Sequence, residues 1–386
     1  MSPPETLYNA SPIVDSPKRS IPTVARAALV VGLLYLFLVG IKLLESGVKG
    51  LGSDTAGGLF EGITNPLAAL FVGILATVLV QSSSVTTATI VGLVATGVLP
   101  IEVAVPMIMG ANIGTSVTNT IVSLAHARKT EEFRLAFSAA TMHDFFNLIA
   151  VAILLPLELA TGFLQSTAAW LAELLPGGSD ATFDSPIKGA VKWGASLVQQ
   201  VIERIVDPGT ALGVTFIVVG ISIIFFSLAF VTKNMRVLIA ARLERSVNAA
   251  LARSGLVGIA VGIIITVAVQ SSSITTSILV PIVASGILLV RNAYPITLGA
   301  NIGTTVTAII AALATGAVSG MTIALVHVLF NVTAILILYP WTKIRYVPVT
   351  LAEKLAGVAV QRRWVAVAYT VIVFIVIPLA GIVILT

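Results

Sequence analysis

Gln81-Ser82-Ser83-Ser84 is a polar block in the middle of a long apolar stretch, and the chain carries it twice: the second copy is Gln270-Ser271-Ser272-Ser273. A second shared block follows each at the same distance. Gly110-Ala111-Asn112-Ile113-Gly114-Thr115 answers Gly299-Ala300-Asn301-Ile302-Gly303-Thr304, with 270 − 81 = 189 and 299 − 110 = 189. Between Gln81 and Thr118 more than half of the positions are identical to their mates between Gln270 and Thr307. A match of this length is an internal duplication, and any fold must account for both copies at once.

The surroundings of the two blocks set the fold class. Of 386 residues, 57% are hydrophobic and 10% charged, where a soluble domain carries roughly 25% charged residues. The apolar runs are long and do not alternate, so the chain reads as an all-α polytopic membrane protein. With no cysteine, disulfides, thiolate nucleophiles and Cys-ligated metals are excluded. The net charge of +5 reflects basic links between spans rather than a nucleic-acid surface, because no basic patch is interleaved with aromatics. Residues 1–23, Pro- and Ser-rich at their start and without the apolar core of a signal peptide, are expected to form a disordered cytoplasmic tail.

Full spans are expected at Val24–Leu44, Val103–Leu124, Leu135–Leu155, Ala211–Thr232, Pro295–Thr315, Met321–Pro340 and Trp364–Leu385. Pro66–Leu99 is too long for one crossing, and its Gln-Ser-Ser-Ser block splits it into arms of about 15 residues where a crossing needs roughly 20. It therefore reads as a re-entrant hairpin, entering and leaving on one side, and Gly255–Val290 reads likewise. Basic links stay in the cytoplasm. Those around His126, Arg128, Lys129 and Arg134, around Lys233, Arg236, Arg242, Arg245 and Arg253, and around Lys343, Arg345, Lys354, Arg362 and Arg363 fix the orientation. The first hairpin then dips in from outside and the second from the cytoplasm, so the repeats have inverted topology. The expected division is 24–160 for the first repeat, 161–210 for an external loop with short interfacial helices, 211–342 for the second repeat, and 343–386 for a cytoplasmic link and the last span. Inverted repeats with binding at the midplane are the architecture of secondary transporters.

The chemistry of the tips follows from their position. Serine is a good helix N-cap, and a helix N-terminus offers free N–H donors and the positive end of a dipole. Ser82, Ser83, Ser84, Ser271, Ser272 and Ser273 thus form two such termini able to cradle an anion without a fixed cation. A dianion held this way needs cations, sodium above all, as countercharge. Gln81, Gln270, Asn112, Asn301, Thr115 and Thr304 supply hard oxygen ligands suited to sodium, and Thr86, Thr87, Thr275 and Thr276 lie one turn further on. Glycines flanking Asn112 and Asn301 suggest unwound helix there, freeing carbonyls toward a cavity. Asp144 stands alone at the centre of its span; its repeat mate is Val328, while His143 and Asn147 have mates in His327 and Asn331. A lone intramembrane carboxylate is by default a cation site. The bland reading of each Ser, Thr or Gly is helix packing, and of His143 and His327 a satisfied interface; duplication of the whole set argues against it for the blocks together. No acid–base pair, metal cluster or activated nucleophile converges here, so an enzyme is not expected.

The paired Gln-Ser-Ser-Ser blocks, Gly110-Ala-Asn-Ile-Gly-Thr-Ser-Val-Thr-Asn-Thr120, Phe133-Arg134, His143-Asp144, Phe146-Asn147, Leu155-Pro156-Leu157-Glu158 and Gly299-Ala-Asn-Ile-Gly-Thr-Thr305 resemble the type II sodium-dependent phosphate cotransporter family, from about residue 24 to 385. The resemblance implies sodium-coupled uptake of inorganic phosphate, expected across the cell (inner) membrane, with both tips at the substrate; Gln81, Asn112 and Asn301 are expected at the phosphate site beside the serines. It implies a sodium at Gln270, Ser271, Thr115 and Thr304, and it marks the Asp144 position as the one that separates charge-moving from electroneutral members. It implies another cation site around Thr120, His126, Lys129, Asn147 and Ala300, where this chain departs from the animal pattern of Gln, Asp and Ser at His126, Lys129 and Ala300. Sodium is thus the expected co-transported ion, and phosphate, sodium and the lipid bilayer are the expected partners, with the oligomeric state open. The same cradle would suit arsenate, sulfate or a small carboxylate, or export of phosphate; a receptor or scaffold without transport is a further alternative.

Overall fold

The structure, a computed structural model, describes residues 22–51, 63, 65–128, 130–175, 186–251 and 255–386. Most of the expected N-terminal tail, the acidic link with Asp54 and Glu61, and Lys129 lie outside the described residues. Among the described residues there is no strand. The helices are α1 (Thr23–Gly50), α2 (Pro66–Val80), α3 (Ser83–Ala95), α4 (Ile101–Thr115), α5 (Val117–Leu124), α6 (Thr130–Thr161), α7 (Phe163–Leu174) and α8 (Pro186–Glu203). They continue with α9 (Thr210–Leu251), α10 (Gly255–Val269), α11 (Ser272–Ala284), α12 (Val290–Thr315), α13 (Val318–Leu338), α14 (Val347–Gln361), α15 (Trp364–Val371), a π turn at Ile372–Val376, and α16 (Ile377–Leu385). Among the described residues, seven stretches are long and apolar enough to cross a membrane, one at each expected span.

The two serine blocks sit at matching helix breaks. α2 and α3 have 15 and 13 residues, and α10 and α11 have the same lengths. Between the arms, Gln81 and Gln270 each adopt φ 56°, the only non-glycine residues with positive φ among those described. A left-handed conformation costs an L-residue on the order of 1–2 kcal/mol, so neighbours must hold it in place. The glutamine side chains do part of this: each donates to a carbonyl three residues back, Val78 and Val267, and accepts a hydroxyl, from Thr118 of α5 at 3.2 Å and from Thr307 of α12 at 2.9 Å.

Glycines decide how the arms pack. A methyl group at Gly110 would drive into the carbonyl of Leu70, and one at Gly299 into that of Ile259; Gly73 and Gly262 meet Met107 and Ile296 in the same way. α2 thus lies backbone to backbone on α4, and α10 on α12. This corrects the expectation of unwinding at the Gly-flanked asparagines. The helix runs unbroken through Gly110 and Gly114 to Thr115, and α12 is continuous from Val290 to Thr315. The glycines serve close approach, and α4 breaks just beyond them, at Ser116. α1 and α9 also meet at glycines, Gly40 on Gly220 and Gly47 on Gly213. The numbers rise along one helix as they fall along the other, so this pair is antiparallel.

The segment expected as an external loop holds two helices. α7 is capped by Glu158, whose carboxylate accepts from the Leu164 and Gln165 N–H groups at 2.6 and 3.1 Å. α8 begins at Pro186 and packs on α1 through Ala195, clustered with Val39 and Leu43. α14 lies along the first turns of α6, where Phe133 and Phe137 meet Ala356 and Ala359.

Candidate functional site

At each tip the chain leaves the left-handed glutamine, passes through an extended serine and enters a helix. Ser82 and Ser271 are the N-caps, with φ −152° and −156°, and their Oγ atoms accept from Val85 N and Ile274 N at 3.3 and 3.4 Å. The cap uses an oxygen lone pair and leaves the serine O–H free as a donor. The next N–H groups have no intrahelical partner and point out of the helix end.

Both tips line one cavity of about 300 Å³. Gln81, Ser82 and Val85 come from the α2–α3 break and α3, Gln270, Ser271, Ser273, Ile274 and Ser277 from the α10–α11 break and α11, and Thr118 from α5. Phe225, Leu228 and Thr232 of α9 close the side, and among the described residues no lysine, arginine or carboxylate lines the cavity. The wall can therefore offer donors and dipoles but no fixed charge. The serines divide in a way their sequence hides. Ser82, Ser271 and Ser273 face the cavity, whereas Ser83, Ser84 and Ser272 are buried. Ser84 Oγ donates to the Gln270 carbonyl at 3.4 Å, joining the tips directly, and Ser273 Oγ reaches the Thr115 carbonyl at 3.5 Å.

Asn112 and Asn301 do not line the cavity; they lie buried behind it. Asn301 Oδ1 sits 2.6 Å from His143 Nε2, and its Nδ2 donates to Asn147 Oδ1 at 2.8 Å. Asn147 Nδ2 in turn donates to the Asn112 carbonyl at 2.7 Å, a group exposed by the break at Ser116. Asn119 extends the chain of bonds: its Nδ2 is 3.4 Å from His143 Nδ1, and its Oδ1 accepts from Thr276 and Ser277 at 2.9 and 3.0 Å. The hydroxyls of Thr115 and Thr304 donate to carbonyls one turn back, Ala111 and Ala300, which leaves their lone pairs for a ligand.

Asp144 lies apart from this network and is fully buried. Its Oδ2 accepts from Thr120 Oγ1 at 3.4 Å and from Tyr369 Oη at 3.1 Å, while Oδ1 has no hydrogen-bond partner. His126 sits by Glu132 at 3.8 Å, at the end of the membrane-spanning part. Sequence reasoning missed Tyr369, Asn119 and the Thr118 and Thr307 pins. The pins had a signal, since they are mates at the repeat spacing. Tyr369 had none, because it lies outside both repeats.

A family model described as Na+/Pi-cotransporter matches residues 36–168 and 223–357, one segment around each serine block. The chain belongs to the Na+/Pi-cotransporter family. As a member of that family it is similar to curated relatives in mammals. It is 34% identical over 424 residues to the rat sodium-dependent phosphate transport protein 2A, with 92% of this chain and 66% of the relative covered. It is 31% identical over 448 residues to the human sodium-dependent phosphate transport protein 2B, covering 92% and 64%. The chain thus spans just under two thirds of the length of these relatives. No solved structure matches it.

Proposed function

We propose that this Na+/Pi-cotransporter family member is a secondary active symporter that carries inorganic phosphate, as the divalent anion, into the cell with sodium. The observation that carries the reading is the pair of serine-capped helix ends turned onto one cavity without a fixed charge. Such a wall stabilises an anion through O–H and N–H donors, yet leaves most of its charge to be neutralised by ions that travel with it. Phosphate and sodium are named for this chain by analogy with relatives whose names carry both.

The hairpins are re-entrant on this reading. At about 1.5 Å per residue, arms of 15 and 13 residues fall well short of the roughly 30 Å hydrocarbon core. Inverted topology is supported by the antiparallel packing of α1 on α9, the first full span of each repeat. With basic links inside, the first hairpin enters from outside and the second from the cytoplasm, and the two meet near mid-membrane for alternating access. The phosphate site comprises Gln81, Ser82, Ser271 and Ser273 at the cavity, with Ser83, Ser84, Ser272, Asn112 and Asn301 shaping it from behind. One sodium belongs with Gln270, Ser271, Thr115 and Thr304, and another with Asp144 and Thr120; Asn147 holds the network between them. The membrane is the cell (inner) membrane.

The test is uptake of labelled phosphate into proteoliposomes driven by an inward sodium gradient. Accumulation that stops when choline replaces sodium supports the reading. Uptake indifferent to sodium overturns the coupling, and no phosphate uptake alongside sodium-driven arsenate, sulfate or carboxylate uptake overturns the substrate.

A further inference from the structure

The last span reaches into the site from outside both repeats. Tyr369, on α15, donates its hydroxyl to Asp144 Oδ2 at 3.1 Å. Three rings fix its position: Phe137, Phe145 and Phe374, with centroids 6.4, 6.2 and 6.4 Å from its own. The helix widens into a π turn at Ile372–Val376, directly after α15, and Phe374 inside that turn is fully buried. Such turns recur at functional sites because they re-aim the side chains around them. Further on, Gly381 packs on Phe71 of α2, the first arm of the first hairpin. One helix thus touches both the buried carboxylate and the hairpin that carries the first tip.

We propose that Tyr369 is the resident partner of the Asp144 carboxylate in the cation-free carrier and competes with sodium for it, so that this hydroxyl sets the sodium concentration at which the carboxylate is occupied. The inference rests on the reading of Asp144 as a cation site. A carrier returns without its cargo in every cycle, and a bare carboxylate in that state is costly. Two hydroxyls meet the cost here, Thr120 and Tyr369 on the same oxygen, while Oδ1 stays without a partner. A sodium ion held by both carboxylate oxygens meets, at Oδ2, the positive end of the Tyr369 O–H bond. The ring is held by its aromatic neighbours, so only the hydrogen can swing away, and the bond it made is lost. The free energy of that hydrogen bond is therefore subtracted from sodium binding. Tyr369 is a positioning residue for the coupling ion and does not touch the anion.

Purified protein in detergent, free of phosphate, is titrated with sodium against a choline background while thermal unfolding is followed. A ligand that binds the folded state stabilises it by RT ln(1 + L/Kd), where L is its free concentration, so the dependence of the midpoint on sodium returns the concentration at half-occupancy, the half-effect. The component read is the part of the sodium stabilisation that Asp144→Asn removes. In Tyr369→Phe that component should reach half-effect at about tenfold less sodium, the equivalent of one hydrogen bond to a charged group. Tyr369→Leu, which also lacks the hydroxyl, should shift the same way and serves if the phenylalanine variant does not accumulate. A half-effect unchanged or moved to higher sodium overturns the competition; the latter would make the hydroxyl a ligand. Sodium stabilisation that Asp144→Asn leaves intact overturns the cation-site reading instead, and this inference falls with it.

Discussion

Replacing Ser82 and Ser271 by glycine separates their two roles. Each serine caps a helix and each faces the cavity, so an alanine variant would confuse a weaker helix with a weaker site. Glycine at an N-cap costs only a few tenths of a kcal/mol, whereas alanine costs typically about 1 kcal/mol. The cap bonds here are long, 3.3 and 3.4 Å, which places their contribution toward the low end. The hydroxyl hydrogen is spare, and a hydrogen bond from it to a phosphate oxygen is worth roughly 1.5–3 kcal/mol. At about 1.4 kcal/mol per decade, Ser82→Gly and Ser271→Gly should each raise the half-saturating phosphate concentration about tenfold or more. Maximal rate and melting temperature should stay near those of the wild type. Initial rates of labelled phosphate uptake at fixed sodium read the effect, with thermal unfolding as the control. Ser83→Ala and Ser272→Ala should do the reverse, lowering stability with little change in half-saturation, because both serines are buried at 6% and 2% exposure. Unchanged half-saturation in both glycine variants would falsify the cradle.

If Asp144 brings in one sodium beyond the anion's charge, wild-type uptake should accelerate under an imposed inside-negative potential, at about 2.3 kcal/mol per charge per 100 mV. Asp144→Gly should lose that response while retaining sodium-dependent uptake, and a wild type indifferent to voltage would refute the electrogenic assignment. Gly110→Ala and Gly299→Ala each force a methyl group against a backbone carbonyl that cannot move aside. They should destabilise by about 1–3 kcal/mol in thermal unfolding, whereas Gly357→Ala, with open space around it, should be neutral or stabilising by up to about 1 kcal/mol. The chain has no cysteine, so Lys192→Cys on α8 and Lys343→Cys before α14 can be labelled singly; an impermeant reagent outside intact cells should reach the first and not the second, and the opposite result would invert the topology.

The duplication made much of this legible. A polar block splits each apolar run, and the short helices, the left-handed break at Gln81 and Gln270 and the serine caps all appear where the repeats require them. What the sequence could not reveal is which member of a helical turn faces the ligand. Ser82, Ser83 and Ser84 look equivalent in a string, but a helix end turns successive side chains by about 100°, and only the first faces the cavity. The glycines around Asn112 and Asn301 were misread for a related reason. Glycine permits both unwinding and close approach, and only the neighbouring helix decides between them. Tyr369 was invisible because no periodicity or mate distinguishes one tyrosine in an apolar span.

The two copies share their residues but not their bonds, and this inequality carries mechanistic content. Asn301, His143 and Asn147 are linked by contacts of 2.6 and 2.8 Å. Their mates are Asn112, His327 and Asn331. Asn112 Nδ2 turns to the Ile108 carbonyl and Asn331 Nδ2 to the His327 carbonyl, while His327 Nδ1 and Asn331 Oδ1, both buried, have no hydrogen-bond partner. Thr266 likewise donates to Thr275, while its mate Thr77 has no partner. On the proposed alternating-access reading, the copies differ this way because the halves hold different conformations. A carrier built from two inverted halves must do so whenever it opens to one side, and the halves exchange conformations when it opens to the other. The bonded set then belongs to the present state, and the set around Asn112 should close in the opposite one. Asn301→Ala should therefore disfavour the present state and Asn112→Ala the other. A neutral buried bond is worth about 0.5–1.5 kcal/mol, so losing the two bonds of Asn301 should shift the populations by about tenfold. With the present state taken as open to the cytoplasm, on the side of the basic link that follows Thr232, Thr232→Cys on the cavity wall reports the balance through its rate of labelling by an impermeant thiol reagent in inside-out vesicles. Labelling should slow with Asn301→Ala and hold or quicken with Asn112→Ala. A shift in the same direction for both, or none for either, would mean that the inequality is a fixed feature of the fold and not one half of an alternation.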